Sequence, residues 1–427
     1  MRKGTLLATL VVANFATACV GVPLTGEGGK FSVSNIAPIV FSALAGLLFF
    51  STGASVDRRL AAFLLVFNLG CFASFALFMA RFGWDPNFPV LLFQDVEIVF
   101  CMLMWWYGRS EPELFRRAVR AGILCSVPVL AFFAWDDTHA RLPWLAFGMD
   151  DKSQAAVLLC CEAYILIRFF GSGLGRILGV TLYLATFLTV SRLPVFFFPP
   201  IFLALCRGSR WAPVGAVIGV ALVSIVLAEW GETVKELILV YDRLSSVSTV
   251  AGESSTTAHL QLLQLALQIK LSDPLTFLFG IGPGNFSKAL MSFPVSLTEL
   301  QASDPEIVAY ASEGRAPLHS MMAQVLLDYN FPLFLAFACA LMQACRHLLR
   351  RHNVADLLFF TAFVLSATFY SLHNKAYFFL VAVAAAVLNV NESDQLLLQA
   401  TETNAEMTEM SRPLPKPISV HVTGSGM

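Results

Sequence analysis

Long apolar runs recur through this chain of 427 residues and constrain its fold more than any other feature. A helix that crosses the roughly 30 Å hydrocarbon core of a bilayer needs about 20 mostly apolar residues. On that measure the sequence predicts about twelve membrane-spanning helices. They cover residues 5–24, 36–53, 60–80, 89–107, 118–136, 154–170, 174–190, 193–206, 212–230, 322–345, 354–372 and 374–390. The predicted fold is therefore all-α and polytopic.

Composition agrees with this class of protein. The chain is 57% hydrophobic and only 13% charged, with a mean hydropathy of +0.70, whereas a soluble domain carries about 25% charged residues. The net charge of −1 leaves no overall basic surface for nucleic acid. The nine cysteines fall in apolar runs without the spacing of a zinc or redox motif, so we interpret them as core residues.

Basic residues in the short connections set the predicted orientation. One set of connections carries Arg2, Lys3, Arg58, Arg59, Arg109, Arg116, Arg117, Arg120, Arg168, Arg176, Arg207, Arg210, Arg346, Arg350 and Arg351. The opposite set carries only Lys30, Arg81, Arg141, Lys152, Arg192 and Lys375. Because cytoplasmic loops are enriched in Lys and Arg, the richer set and both termini are predicted to be cytoplasmic.

One connection is much longer than the others and divides the chain. Residues 1–230 hold spans one to nine, residues 231–318 form a loop on the outer side, and residues 319–390 hold spans ten to twelve. The polar, proline-containing tail at 391–427 is predicted to be disordered in the cytoplasm. Within the loop, residues 256–270 predict an amphipathic helix that lies on the membrane surface or serves as a lid.

Arg192 interrupts an apolar run at 177–206 that is too long for one span. The chain must turn near this residue, which leaves two arms of about 15 residues that each rise roughly 22 Å. Since the hydrocarbon core is about 30 Å thick, the guanidinium should lie below the outer surface. Such a charge marks an anion or ion pathway, and the alternative is an arginine that snorkels to the outer headgroups.

The loop contains a second arginine and a glycine-rich turn. Arg243 follows the ninth span, and its plain interpretation is a surface ion pair with Asp242. The turn at 280–286 contains Gly280, Gly282, Gly284 and Asn285. It is not expected to have the preceding strand and following helix of a dinucleotide motif. We interpret it as a tight turn or a close backbone approach to an anionic ligand.

The remaining candidates are titratable residues at or within spans. His319 stands just before the tenth span, where a histidine is either structural or a general base. Four of the acids within predicted spans are singled out as expected counter-ions or substrate contacts. They are Asp95, Glu97, Glu162 and Asp328.

Together these features resemble the O-antigen ligase and O-antigen polymerase superfamily, which includes exopolysaccharide repeat-unit polymerases. The resemblance lies in the order of features along residues 174–345. That order is Ser191-Arg192 between two helices, Arg243 followed by Leu-Ser-Ser, the amphipathic segment, the glycine turn, and His319 before a helix. The family also has a large periplasmic loop at this place. This chain departs from it in having Ser320 where Asn is usual and 328–332 where an acidic–Gly pattern is usual.

The resemblance implies a bacterial inner-membrane glycosyltransferase with no metal and no cofactor. Its implied partners are an undecaprenyl-diphosphate-linked glycan donor, a glycan acceptor, membrane lipid and a chain-length regulator, with no nucleic acid. The implied catalytic residues are Arg192, Arg243 and His319. The implied substrate-binding residues are Gly280, Gly282, Gly284, Asn285 and Arg315.

Other readings of the sequence remain open. Polymerase and ligase share the donor and differ in the acceptor, which is another carrier-linked glycan or the lipid A core. A lipid or solute transporter would also have about twelve spans, although transporters are commonly built from internal repeats and none is evident between the two halves. A sensor or scaffold without catalysis is a third class.

Overall fold

The computed structural model describes the following parts of the chain. These are residues 3–18, 20, 33–51, 58–83, 103–139, 145–149, 152–171, 173–189, 191, 193–206, 214, 254–282, 285–294, 296–303, 305–314, 316, 318, 320–331, 335, 338–339, 342, 345–346, 348–349, 354–369, 380–392 and 394. Of these described residues, 87% are helical and none is in a strand. The predicted all-α class is confirmed.

The helices of the first half are α1 (Lys3–Thr17), α2 (Val33–Ser51), α3 (Arg58–Phe82), α4 (Pro112–His139), α5 (Lys152–Phe169), α6 (Gly173–Ala185) and α7 (Leu193–Leu205). The long predicted loop contains α8 (Ser254–Leu271), α9 (Pro274–Phe279), α10 (Phe286–Ser292), α11 (Thr298–Ser303) and α12 (Pro305–Ser312). The helices that follow are α13 (Met321–Asp328), α14 (Val354–Phe369) and α15 (Leu380–Glu392).

One described helix is long and apolar enough to cross a membrane, judged by length and composition. It is Pro112–Thr138 within α4, and only 33% of its most apolar stretch is buried. Shorter apolar helices lie at Gly4–Thr17, Phe72–Phe82, Gly173–Thr189, Leu193–Leu205, Val354–Thr368 and Leu380–Glu392. The spans predicted at 89–107 and 212–230, with the tail beyond residue 394, lie largely outside the described residues.

The first core is built around α5. Sixteen of its 18 residues are buried, which is the pattern of a helix enclosed on every side. Helices α6 and α7 pack against it, while α1 packs against α4 and α14 against α7. The buried Glu162 of α5 accepts hydrogen bonds from the hydroxyl of Ser126 in α4 at 3.0 and 3.1 Å, so one of the predicted intramembrane acids has a neutral partner.

A buried ion pair joins three helices of this core. Arg168 of α5 donates from Nε and Nη2 to the two carboxylate oxygens of Asp356 in α14, at 3.1 and 3.2 Å. Tyr164 and Asn389 also donate to Asp356, and Glu392 accepts from Arg168 at 2.8 Å. The paired side chains are 6% and 5% exposed. Charges this deeply buried are tolerated when paired and hydrogen-bonded, as these are.

A second core forms in the long predicted loop and rests on α3. It gathers Leu262, Ile269, Ile281 and Phe286 around Phe78 of α3. Two polar contacts lie at the C-terminal end of α3. Arg81 pairs with Asp273 at 3.1 Å, and Lys288 donates to the carbonyl of Gly83 at 2.8 Å. Helix α8, at Ser254–Leu271, confirms the helix predicted over 256–270.

Connections that are predicted to share a side of the membrane contact one another. The hydroxyl of Tyr107 donates to the carbonyl of Gly4 at 3.0 Å, and the Asn391 amide donates to the carbonyl of Gly108 at 2.9 Å. Arg109 pairs with Asp394. At the opposite ends of the helices, the amide of Leu145 donates to the carbonyl of Leu188 at 3.0 Å. These contacts therefore join helix ends within each of the two predicted groups.

We expect Arg168→Ala to destabilise the protein by about 3 to 5 kcal/mol, because it leaves the buried Asp356 carboxylate without its counter-ion. The matched control is Arg109→Ala, which removes a pair whose side chains are 40% and 45% exposed and should cost at most about 1 kcal/mol. Thermal unfolding of the detergent-solubilised variants measures both. Equal shifts in melting temperature would contradict a structural role for the buried pair.

Candidate functional site

Helix α13 stops where the sequence predicted a continuous span. The span was expected over 322–345, but α13 ends at Asp328 and Tyr329 has extended backbone, with φ −97° and ψ 160°. Helical backbone resumes at Phe331, after two non-helical residues. The prediction of one unbroken helix here is therefore wrong. A helix end leaves carbonyl oxygens without intrahelical donors, and these need other partners.

The glycine turn and α8 supply those partners. The amide of Ile281 donates to the carbonyl of Leu327 at 3.0 Å, and the amide of Gly282 donates to the carbonyl of Asp328 at 2.9 Å. The ammonium of Lys270 donates to the carbonyl of Tyr329 at 2.8 Å. The open end of α13 is thus capped by a segment that lies about fifty residues earlier in the chain.

Glycine is required at this junction by both conformation and space. Gly280 and Gly282 have φ of 75° and 78°, a region that other residues rarely adopt. A Cβ on Gly280 would lie 2.6 to 2.7 Å from the carbonyl oxygens of 327–329. A Cβ on Gly282 would lie 2.8 Å from the Cα of Phe75 in α3. The backbone at these glycines therefore approaches α13 and α3, whereas the close approach predicted from the sequence was to an anionic ligand.

The elements on either side of the turn partly differ from expectation. Helix α10 begins at Phe286, directly after the turn, so the expectation of no following helix is wrong. Asn285 is fully buried, and its amide donates to the carbonyl of Ile281 at 2.8 Å, which holds the turn in place ahead of α10. The preceding element is helix α9, so the turn lacks the strand of a dinucleotide-binding motif.

Buried polar groups collect around the same junction. Lys270 and Asp328 are each 1% exposed and attract each other. Burial disfavours the ammonium and lowers the pKa of Lys270 to about 8, although the Asp328 carboxylate opposes the shift. Within the described part of the chain, Asn285 Oδ1 and Asp328 Oδ1 are buried without a hydrogen-bond partner. Two such acceptors favour the approach of a group that carries N–H or O–H donors.

The predicted site residues are only partly within the described structure. Gly280, Gly282 and Asn285 are brought together with the end of α13. The other predicted site residues, Arg192, Arg243, Gly284, Arg315 and His319, lie outside the described residues.

The described neighbours of residue 319 are buried beside the turn. The Ser287 hydroxyl of α10 donates to the carbonyl of Ala316 at 3.3 Å. Leu318 and Ser320 are 2% and 4% exposed. The hydroxyl of Ser320 accepts from the amide of Ala323 at 3.2 Å and so caps the start of α13. The departure from the family pattern at Ser320 therefore has a local structural role.

The described neighbours of residue 192 flank a break between two helices, where the length of the apolar run predicted a turn. Helix α6 continues as a 3-10 turn to Thr189, and α7 begins at Leu193. Ser191 and Leu193 are 5% and 1% exposed, and the hydroxyl of Tyr183 donates to the carbonyl of Pro194 at 2.9 Å. Helices α7 and α13 both pack against α14, so the elements that follow residues 192 and 319 share a neighbour.

Lys270 is the polar residue that the sequence reasoning missed. Its signal was its position, because Leu262, Ala266 and Lys270 are spaced at i, i+4 and i+8 and share the buried face of α8. Lys270 is also the cation that attracts the buried carboxylate of Asp328. The other predicted intramembrane acids, Asp95 and Glu97, lie outside the described residues.

In the described ranges, no three His, Cys, Asp or Glu side chains are grouped so that they could hold a metal ion. Comparison with protein-family models, curated proteins and solved structures found no match. The function is accordingly argued from the site and its chemistry.

We expect Gly280→Ala to destabilise the protein more than Gly314→Ala does. Both glycines have φ near 75°, so each substitution should cost about 1 to 2 kcal/mol in backbone strain. Gly314 has no atom within 4 Å of an added Cβ, whereas Gly280 faces three carbonyl oxygens, which adds roughly 1 to 3 kcal/mol of overpacking. Melting temperatures of the two purified variants measure the difference. Equal decreases in melting temperature for the two variants would mean that the turn is not held against α13.

Proposed function

We propose that this chain is a polytopic glycosyltransferase of the bacterial inner membrane, with both termini in the cytoplasm. It would take a glycan from an undecaprenyl diphosphate carrier and join it to an acceptor sugar at the periplasmic face, as a repeat-unit polymerase of O-antigen or exopolysaccharide. A ligase that attaches the glycan to the lipid A core uses the same donor and is the alternative within this class.

The observation that carries the proposal is the junction at the end of α13. The glycine turn caps this helix through hydrogen bonds from Ile281 and Gly282 to its last carbonyls. The turn also packs on Phe75 of α3. Asp273 and Lys288, in the elements that flank the turn, contact the end of α3 that is predicted to face outward. The glycine turn and the helix that follows residue 319 both belong to the features on which the resemblance is based. These two features are therefore neighbours at the predicted outer side.

The two groups of helix ends support a polytopic arrangement. Contacts such as Tyr107 to Gly4 and Asn391 to Gly108 join connections that the positive-inside rule assigns to the cytoplasm. The many exposed apolar side chains support a lipid environment, and Leu47, Phe132 and Ile177 are each more than 60% exposed. Large exposed apolar surfaces in water would favour association.

The proposed chemistry follows from the residue types. The acceptor hydroxyl attacks the anomeric carbon, a new C–O bond forms, and the bond from that carbon to the diphosphate breaks. The diphosphate leaves with the bonding electron pair, and Arg192 and Arg243 would bind its oxygens with their guanidinium forks. The hydroxyl proton would pass to neutral His319, a transfer worth about 10² to 10⁴ in rate. Arg315 and the glycine turn would hold the glycan.

The transporter alternative is less well supported by the same junction. In many transporters a broken helix presents free carbonyls to the transported ion. Here the carbonyls of Leu327, Asp328 and Tyr329 already accept hydrogen bonds from the loop and from Lys270. The break in α13 therefore serves as an attachment point for the loop.

We expect His319→Ala to lower turnover by roughly two to four orders of magnitude while carrier binding is nearly retained. Arg192→Ala and Arg192→Lys should both weaken binding and turnover, because an ammonium cannot replace a two-pronged guanidinium. The matched control is His373→Ala, which removes another histidine of a predicted outer connection and should leave both quantities unchanged. The substrate is the carrier-linked glycan that accumulates in a strain lacking this chain.

Turnover is measured as release of undecaprenyl diphosphate at matched amounts of folded protein. Near-normal turnover of His319→Ala would show that His319 is not the general base. Full activity of Arg192→Lys would show that Arg192 only balances charge. In the deletion strain, loss of long chains while single repeat units still reach the surface lipid indicates a polymerase. Accumulation of long carrier-linked chains indicates a ligase.

A further inference from the structure

A basic cleft lies between the N-terminal part of α4 and the end of α5. Its volume is about 310 Å³, and its lining residues are Glu113, Arg116, Arg117, Arg120, Phe169, Phe170 and Gly171. That volume is at the small end of the range for ligand pockets, which is roughly 300 to 1,000 Å³. Three arginines face one glutamate in this lining, so the cleft favours an anion.

The arginines differ in how they are held. Arg116 is fixed, because its Nη2 donates to the carbonyl of Phe169 at 2.7 Å and its guanidinium lies 5.7 Å from the ring centre of Phe170. Arg117 and Arg120 are exposed. A fourth guanidinium lies nearby, since a Cβ on Gly171 would be 3.4 Å from Nε of Arg176. The cleft thus combines one anchored arginine with two that are accessible to a ligand.

An apolar stripe continues from these arginines along α4. Residues three and four apart lie on one face of a helix, so the face of Arg117 and Arg120 continues to Leu124, which is 39% exposed. Phe132 and Trp135 further along α4 are 64% and 67% exposed. Leu124 lies one turn, or about 6 Å, beyond Arg120, and Trp135 lies roughly 27 Å from Arg117 along the axis. This distance is close to the hydrocarbon thickness of a bilayer.

The juxtaposition points to a ligand that is anionic at one end and apolar along its length. We propose that this cleft binds an anionic phospholipid, with the phosphate at Arg117 and Arg120 and an acyl chain along Leu124 and Phe132. Basic pockets next to membrane helices on the cytoplasmic side are suited to anionic headgroups. The predicted orientation assigns this end of α4 to the cytoplasm. The site is distinct from the proposed glycan site and does not depend on that function.

The continuity of charge and apolar surface favours a lipid over a soluble phosphate. A free phosphate ion would use the arginines alone and gain nothing from the stripe at Leu124 and Phe132. A lipid uses both, because burial of its acyl chain adds about 0.8 kcal/mol for each methylene group.

The test uses the full chain purified in detergent and counts bound lipids by native mass spectrometry. The probes are phosphatidylglycerol, phosphatidylcholine with the same acyl chains, and inorganic phosphate. Phosphatidylglycerol should bind preferentially. The variant Arg117→Gln with Arg120→Gln should weaken its binding by roughly fivefold per arginine, or about 25-fold in all. It should leave phosphatidylcholine unaffected.

Two variants separate the cleft from surface charge in general. Arg109→Ala removes an exposed arginine outside the cleft lining and should leave phosphatidylglycerol binding unchanged. Arg117→Lys with Arg120→Lys keeps the charge and should retain most of the binding, which also shows that changes at these positions are compatible with folding. The proposal is overturned if Arg109→Ala weakens binding as much as the double glutamine variant, if that variant binds normally, or if inorganic phosphate displaces the lipid at equal concentration.

Discussion

Three carbonyl groups at the end of α13 attach the predicted outer loop to this helix. A helix that stops at Asp328 must find donors for its last carbonyls, and the chain provides the amides of Ile281 and Gly282 and the ammonium of Lys270. This requirement explains Gly280, because a Cβ at that position would lie 2.6 to 2.7 Å from the carbonyl oxygens of 327–329. The same hydrogen bonds bring α8 and the glycine turn next to α13, the helix that follows residue 319. The proposed site depends on this proximity.

The same helix belongs to both cores. Met321 and Val325 pack in the core built around α5, whereas Ala323 and Leu327 pack in the core of the loop. A substrate at the junction would contact a loop that is anchored to the helices beneath it. The buried pair of Arg168 and Asp356 stabilises the opposite ends of the same bundle, so each end has its own polar anchor.

Periodicity and length predicted the positions of most helices, because an apolar run of a given length leaves few other structures possible. They also predicted that the apolar run at 177–206 is divided between two helices, since one helix of that length would be too long for a single span. Periodicity and length failed where a contact with residues far away in the sequence determines where a helix ends. Nothing local to 322–345 indicates that Leu327 and Asp328 would bind the amides of 281 and 282, so the end of α13 was missed. Lys270 was missed because a buried lysine needs partners that sequence spacing alone does not reveal. The roles of Arg192, Arg243 and His319 depend on the resemblance together with the placement of their described neighbours.

The most direct test of the account is the sidedness of two exposed serines. Ser296 lies between α10 and α11 in the outer loop, and Ser110 lies just before α4 in a connection predicted to be cytoplasmic. Each is replaced by Cys in a variant that lacks the nine native cysteines, and whole cells are treated with an impermeant thiol reagent. The account predicts that Ser296→Cys is labelled in intact cells and that Ser110→Cys is labelled only after the membrane is permeabilised. Labelling of Ser110→Cys in intact cells, with protection of Ser296→Cys, would contradict it.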